Sequence, residues 1–415
     1  MRIKHLSLEN FRGFEKLEIE FPEKGSAVFI GVNGAGKTSI LNSCAVLLEV
    51  FYSRLSETIP VIGLSQWDIN LNAVRTLLDS LIIIEGNKIE IHAEYKRRIA
   101  DIEDTGIKDI RGRFFEQLKN RVQSKMGNLN IPFFMFYSTN RFIPDFPKLE
   151  AENVSNIYPF TGLFNPSVKD MNFVGFFRWF RGMEDLENEK RVREDSNYRN
   201  RDLQSIRKAI QALMPGFSRP FVKRQPNEEF VVEKNGEQFS ISQLSHGEKG
   251  VMVMVGDLAR RLSIANPELE DPLLGFGIVL IDEIELHLHP AWQRSIIPTL
   301  EATFPNIQFI ATTHSPQVLS SLKQENVFVL EEFKLVEKTP HTFGRDSNSL
   351  LQDLFNVAER PEKTKDEFRH LYRLIDDPGK IVEANDMLEE MEEKYGRDDP
   401  EIIRARMHLE FMNDE

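Results

Sequence analysis

Apolar and polar residues alternate from Ile3 to Leu8 and again over Leu17-Glu18-Ile19-Glu20-Phe21, which predicts two half-buried strands of a small sheet before the turn at Pro22 and Gly25. Ala27-Val28-Phe29-Ile30 is a continuous apolar run ending in glycine, the pattern of a strand buried on both faces of an α/β core. From Thr38 to Leu55 the residues Ile40, Leu41, Ala45, Leu47, Leu48 and Phe51 recur at helical spacing. The order is therefore strand, glycine-rich loop, helix. A second strand pair is predicted around Leu81 to Tyr95, split by a turn at Glu85-Gly86-Asn87-Lys88.

Residues 96 to 125 carry nine Lys and Arg against five Asp and Glu with few large apolar residues, and read as an exposed, partly helical excursion. Ile131 to Tyr137 returns to the core as a strand. Between 170 and 213, a stripe of Phe173, Phe176, Phe177 and Phe180 and another of Leu203, Ile206, Ala209, Ile210 and Leu213 predict helices that stop at Pro215-Gly216. Phe230 to Phe239 is a strand and turn. Near the end, Ile381, Ala384, Leu388, Met391 and Tyr395, then Ile402, Ala405, Leu409 and Met412, predict a hairpin of two amphipathic helices. Asp399 is placed as the N-cap of the second, and Pro400 at its first helical position.

With 415 residues the chain has room for two or three domains. A single cysteine, Cys44, allows no internal disulfide framework or cysteine-rich zinc site, which fits a reducing cytoplasm. No apolar run approaches the roughly 20 residues of a membrane span, so neither membrane insertion nor secretion is expected. The net charge of −13 disfavours indiscriminate binding along a phosphate backbone while leaving room for a local basic groove.

Gly31-Val32-Asn33-Gly34-Ala35-Gly36-Lys37-Thr38 is a phosphate-binding loop in the strand-loop-helix context that its physics requires. Backbone N–H groups from Asn33 to Ser39 would curl round the phosphates of ATP, Lys37 would meet the β and γ oxygens, and Thr38 would ligate Mg²⁺. Gly277-Ile278-Val279-Leu280-Ile281-Asp282-Glu283 is a buried strand ending in two acids, the place for a metal-side carboxylate and a water-activating one. Upstream, Ser242-Gln243-Leu244-Ser245-His246-Gly247-Glu248-Lys249 opens a helix and offers a second anion site at its N-terminus. Downstream, the strand Asn306 to Thr313 delivers His314 at its C-terminal end.

With these four motifs in order, residues 1 to 340 resemble an ATP-binding-cassette ATPase head of the RecF, OLD and structural-maintenance-of-chromosomes kind. Walker A lies at Gly31 to Thr38, the signature at Leu244 to Glu248, Walker B at Ile278 to Glu283 and the switch histidine at His314. Asn10-Phe11-Arg12-Gly13-Phe14 is similar to the opening of that superfamily, whose arginine reaches the nucleotide phosphates. The resemblance implies an α/β P-loop head with a mixed sheet, divided as 1–144 and 221–345, with a helical insertion at 145–220 and a helical tail at 346–415. It implies the metal ligands Thr38 and Asp282, the catalytic Glu283 and His314, and the nucleotide contacts Arg12, Asn33, Gly34, Ala35, Gly36, Lys37, Thr38 and Ser39. Ser245, Gly247 and Glu248 would complete the opposite subunit's site, so a homodimer or larger homo-oligomer follows.

Ile284 to Gln293, in place of a short loop after Walker B, is similar to compact bacterial defence ATPases. The chain resembles the PtuA ATPase of Septu anti-phage systems and related retrons, which is encoded with an HNH nuclease. It implies an ATPase that controls a partner nuclease through its nucleotide-dependent dimer. A RecF-like repair factor that clamps DNA directly is the alternative.

Gln66 is a candidate Mg²⁺ ligand, with Asp68 or a structural turn as rivals. His287 and His289 read as packing or capping residues rather than a metal pair. Cys44, on an apolar helix, reads as packing. The Lys96 to Lys125 excursion and the helix carrying Arg191, Arg193, Arg199, Arg201 and Arg207 are candidate DNA surfaces, although interleaved acids make the second a solvated face first.

Overall fold

The computed structural model describes residues 1–55, 64–96, 102–109, 113–123, 130–139, 173–337, 339–355 and 359–414. Its described residues divide into two compact units, 1–350 and 351–415. Within the first unit, β1 (Arg2–Phe11), β2 (Phe14–Glu20), β4 (Arg75–Ile84), β5 (Asn87–Lys96) and β6 (Ile102–Asp109) form an antiparallel sheet in the order β2-β1-β4-β5-β6. Ile3, Leu6, Leu8 and Phe11 of β1 are buried, as the alternation predicts.

A six-stranded sheet runs β14-β13-β3-β12-β11-β7, from β3 (Ala27–Gly31), β7 (Phe133–Tyr137), β11 (Gly277–Ile281), β12 (Ile307–Thr312), β13 (Val327–Glu331) and β14 (Lys334–Leu335). All but β14 are parallel. Every residue of β3, β7, β11 and β12 is buried, because helices or the antiparallel sheet cover both faces. Helix α1 (Lys37–Leu55) packs on β4 and β5 as well as on β3, β11 and β12, and so fills the space between the sheets. Cys44 lies in that core, where burial pushes its thiol up to about 12.

The excursion after residue 96 differs from expectation. Part of it is an edge strand, β6, paired along β5 from Lys96↔Ile102 to Ile89↔Asp109, followed by α2 (Phe114–Gln123). Charge of the kind that protects a sheet edge hides such a strand from an apolar-pattern reading. Arg97, Arg98 and Arg111, within the excursion read as a candidate DNA surface, lie outside the described residues, as does 145–172 of the expected helical insertion.

Helices α3 (Phe173–Arg193) and α4 (Arg201–Leu213) precede a three-stranded sheet of β8 (Phe217–Lys223), β9 (Glu229–Lys234) and β10 (Glu237–Ser240). Phe176 and Phe180 of α3 set their rings 5.7 and 5.2 Å from that of Phe230 on β9. Both helices also pack on α5 (His246–Ala265), which carries at its start the residues that resemble a signature. Helices α6 (Pro290–Thr303), α7 (Pro316–Leu319) and α8 (Ser347–Phe355) follow.

In the second unit, α9 (Glu362–Ile375), α10 (Ile381–Tyr395) and α11 (Pro400–Asp414) share one core, in which Phe368, Leu371 and Ile375 meet Ala384, Leu388, Ile402 and Ala405. The expected hairpin is therefore two-thirds of a three-helix unit. Asp399 does cap α11, accepting from Glu401 N at 2.9 Å and Ile402 N at 3.3 Å, and it pairs with Arg360 at 2.8 Å. No described helix is long and apolar enough to cross a membrane.

Candidate functional site

The strand order sets the site. Strand β12 lies between β3 and β11, so the three C-terminal ends present the loop after Gly31, Asp282-Glu283 and Thr312 to His314 along one sheet edge. In the β11/β12 register Ile281 pairs with Ala311, which brings the next residues, Asp282 and Thr312, side by side. Parallel sheets collect ligand-binding groups at this edge.

Gly36 turns the phosphate loop with φ of 101°, and its α-carbon lies against the Phe14 ring, leaving no room for a β-carbon. Asn33 and Gly34 are exposed, Ala35 is buried and Ser39 half-buried. Lys37 is buried at the start of α1 and donates through Nζ to the carbonyls of Gly31 at 2.9 Å and Val32 at 3.1 Å. Burial lowers its ammonium pKa despite the opposing pull of Asp282, Glu283 and Glu285.

Thr38 Oγ1 donates to the Asp282 carboxylate, at 3.0 Å from Oδ2 and 3.2 Å from Oδ1. Thr312 Oγ1 donates to Asp282 Oδ1 at 2.5 Å and accepts from Glu283 N at 2.7 Å. Asp282 N in turn donates to the Tyr137 carbonyl at 2.9 Å. Two strands and the phosphate loop thus fix one carboxylate, which is only 4% exposed. Glu283 has φ of 48°, a left-handed conformation that costs a side-chain-bearing residue of order 1 kcal/mol and persists where its surroundings hold it.

His314 is held through its backbone: its N–H donates to Glu285 Oε1 at 2.6 Å, while Thr313 Oγ1 donates to Glu285 Oε2 at 2.7 Å. Burial, and then the positive charge of Lys37, lower the imidazole pKa below its ordinary 6.5. Thr312, Glu285 and Tyr137 were not picked out from sequence. Thr312 and Glu285 left a trace, as polar residues at the end of, or just beyond, continuous apolar strands; Tyr137 acts through its main chain and left none.

Arg12 has φ of 52° and donates through Nε to Asp68 Oδ1 at 2.9 Å and through Nη1 to Ser39 Oγ at 3.5 Å, one residue beyond Thr38. Its N–H also donates to the Asp68 carbonyl at 2.8 Å. Asp68 closes a capping box with Ser65. Of the rivals for the segment 64–68, the structural turn is present, and Asp68 rather than Gln66 meets Arg12; the Gln66 side chain is exposed.

At the signature, Ser245 is the N-cap of α5, its Oγ accepting from Glu248 N at 3.3 Å and donating to Glu248 Oε2 at 2.9 Å. Burial would raise the Glu248 carboxyl, but Lys234 at 2.7 Å and the Ser245 hydrogen bonds outweigh it and hold it below the usual range. Ser245 is exposed, whereas Gly247 is buried. His289 caps α6, accepting from Ala291 N at 3.3 Å, and His287 has φ of 63° in the preceding loop.

An AAA ATPase domain family matches residues 1–156, and an AAA domain family described with the AbiEii toxin of type IV TA systems matches 138–320. The chain is 30% identical over 423 residues to the "Retron Vc95 probable ATPase" of Vibrio cholerae serotype O1 biovar El Tor, covering 87% of this chain and 80% of that protein. It is 28% identical over 483 residues to the "Retron Ec83 probable ATPase" of Escherichia coli, covering 99% and 87%. With the Septu protein PtuA of Bacillus mycoides (strain KBAB4) it shares 24% identity over 420 residues, 95% of this chain and 50% of that protein. Phosphate loop, paired acids and strand order agree with these relationships: the chain belongs to the family of AAA-type retron ATPases and is similar to the Septu protein PtuA.

Proposed function

We propose that this ATPase acts in anti-phage defence as a homodimer whose nucleotide state controls a partner HNH-type nuclease. The observation that carries the catalytic part is the chain of hydrogen bonds Thr38–Asp282–Thr312–Glu283, which joins the phosphate loop to both Walker B acids. Lys37 binds the triphosphate, and Glu283 accepts a hydrogen bond from the water that attacks the γ-phosphorus. His314 senses the γ-phosphate. The oxygens of Thr38 and Asp282 suit Mg²⁺, a hard cation that neutralises charge on the β and γ phosphates. Exposed Ser245 at the N-terminus of α5 supports closure of the opposite subunit's site, since helix N-termini favour anions.

Glu283→Gln tests this reading against Lys37→Ala. The amide keeps shape and hydrogen bonding but is a poor proton acceptor, so Glu283→Gln binds ATP, stops turning over and accumulates as a dimer, whereas Lys37→Ala loses affinity. Measuring ATP affinity, hydrolysis, dimer fraction and activity of the co-expressed nuclease decides. Full turnover by Glu283→Gln removes that residue from the role, and nuclease activity indifferent to both variants removes the control.

A further inference from the structure

Away from the sheet edge that carries Asp282, a cavity of about 610 Å³ opens between α3, α4 and the sheet β8–β10. Among the described residues five arginines line it: Arg191, Arg199, Arg207, Arg219 and Arg224. Two belong to its floor and are spoken for. Glu187 accepts from Arg207 Nη1 at 3.1 Å and from Asn200 N at 2.7 Å; Glu184 accepts from Arg224 Nη1 at 3.2 Å and from Val222 N at 3.0 Å. Those bonds make the floor a rigid, nearly neutral lattice.

The rim is different. Among the described residues neither Arg191 nor Arg199 is paired with a carboxylate; Arg191 donates to the carbonyl of Ser196, and Arg199 to those of Asn197 and Tyr198. Arg219 approaches Glu233 at 3.7 Å, beyond hydrogen-bond reach, with its side chain 82% exposed. Arg219 also has φ of 48° and lies where the β8/β9 register slips between Ser218 and Phe221. A bulge of this kind re-aims a side chain, at a conformational cost, and here the side chain belongs to the cavity lining.

We propose that this cavity is an effector site for a small molecule carrying two or more phosphate groups, coupled through β9 to the start of the signature helix. Arg191 and Arg199, which pair with no carboxylate among the described residues, and Arg219, held loosely by Glu233 at 3.7 Å, set three guanidinium forks over a braced floor and match phosphate oxygens. The volume suits a small ligand. Among the described residues Phe221 is the one aromatic side chain in the lining, which gives single-stranded bases little to stack on. The route to the signature is short. Glu233 lines the cavity, and its neighbour Lys234 pairs with Glu248 at 2.7 Å, the residue that closes the capping box with Ser245. A polyanion that takes Arg219 from Glu233 therefore acts one residue from the ion pair that steadies the α5 cap. The coupling rests on the role proposed above for Ser245; the binding does not.

The test is calorimetric titration of the full chain with inorganic tripolyphosphate while excess Mg·ADP fills the phosphate loop. One tripolyphosphate binds per chain, and Arg219→Gln weakens it about tenfold. Arg191→Glu/Arg199→Glu/Arg219→Glu abolishes it with ADP affinity unchanged. No binding with the loop filled, or undiminished binding by the triple variant, overturns the site. A short single-stranded oligonucleotide that binds and is lost in the triple variant, where tripolyphosphate does not bind, assigns the cavity to nucleic acid and overturns the small-molecule proposal. Bound tripolyphosphate also changes the ATPase rate; an unchanged rate at saturation overturns the coupling alone and leaves the binding standing.

Discussion

Gly247 lies against the backbone of His287: a β-carbon at Gly247 would sit 2.1 Å from the His287 carbonyl oxygen. The first turn of α5 thus rests directly on the loop that follows Asp282 and Glu283, and main chain cannot swing aside as a flexible side chain would. Gly247→Ala must push the two apart. We expect a loss of about 1–3 kcal/mol of stability, as for other overpacked sites, with ATP turnover falling further than ATP affinity. Thermal unfolding and steady-state hydrolysis check this together; wild-type values in both would mean that the loop yields freely.

Thr312 is the joint between the two acids. Replacing it by Val keeps the shape but removes the hydroxyl that donates to Asp282 and accepts from Glu283 N. Each buried group left unsatisfied costs about 1–3 kcal/mol. Turnover should drop by about tenfold or more while ATP affinity changes little, and Thr312→Ser should restore most of it. A Val variant with normal turnover would show that Glu283 needs no such anchor.

Much of this was legible beforehand because it is local. The phosphate loop, the apolar strand ending in Asp282-Glu283 and the Ser245 cap each have a short-range pattern. What sequence could not give were relations between strands. That Thr312 stands beside Asp282 depends on β12 inserting between β3 and β11, and that Asp68 meets Arg12 depends on a turn 56 residues away. Charge conceals the edge strand β6, and the short stripe of α9, Phe368, Leu371 and Ile375, set among charged residues, adds a third helix that the hairpin pattern alone does not show.

The sign of the His314 shift gives a pH prediction. Burial, then Lys37, disfavour the imidazolium, so the folded pKa is below the ordinary 6.5 and the ring is neutral at pH 7. A depressed pKa contributes stability that is present above 6.5 and lost as pH falls through the folded value. Followed by NMR, the His314 ring should titrate below 6.5 in the wild type and move upward in Lys37→Ala, where one of its depressing charges is gone. A wild-type titration at or above 6.5 would contradict the burial argument.

The final prediction separates folding from docking at the C-terminal unit. A chain ending at Lys380 strips α10 and α11 from α9 and bares Phe368, Leu371 and Ile375, each of which gains about 1.5–3 kcal/mol from burial. That truncation should aggregate or be degraded. A chain ending at Leu350 removes the unit whole, so it should remain folded and hydrolyse ATP. Docking of the proposed partner nuclease on this unit would use Ile403, Met407 and Phe411, which follow each other every four residues along α11 and are 41%, 64% and 63% exposed. Met407→Glu/Phe411→Glu leaves the three-helix core intact, so it should keep the full chain folded and active as an ATPase while abolishing co-purification of the nuclease. If the nuclease still co-purifies with that variant and with the chain ending at Leu350, the docking site lies in residues 1–350 instead.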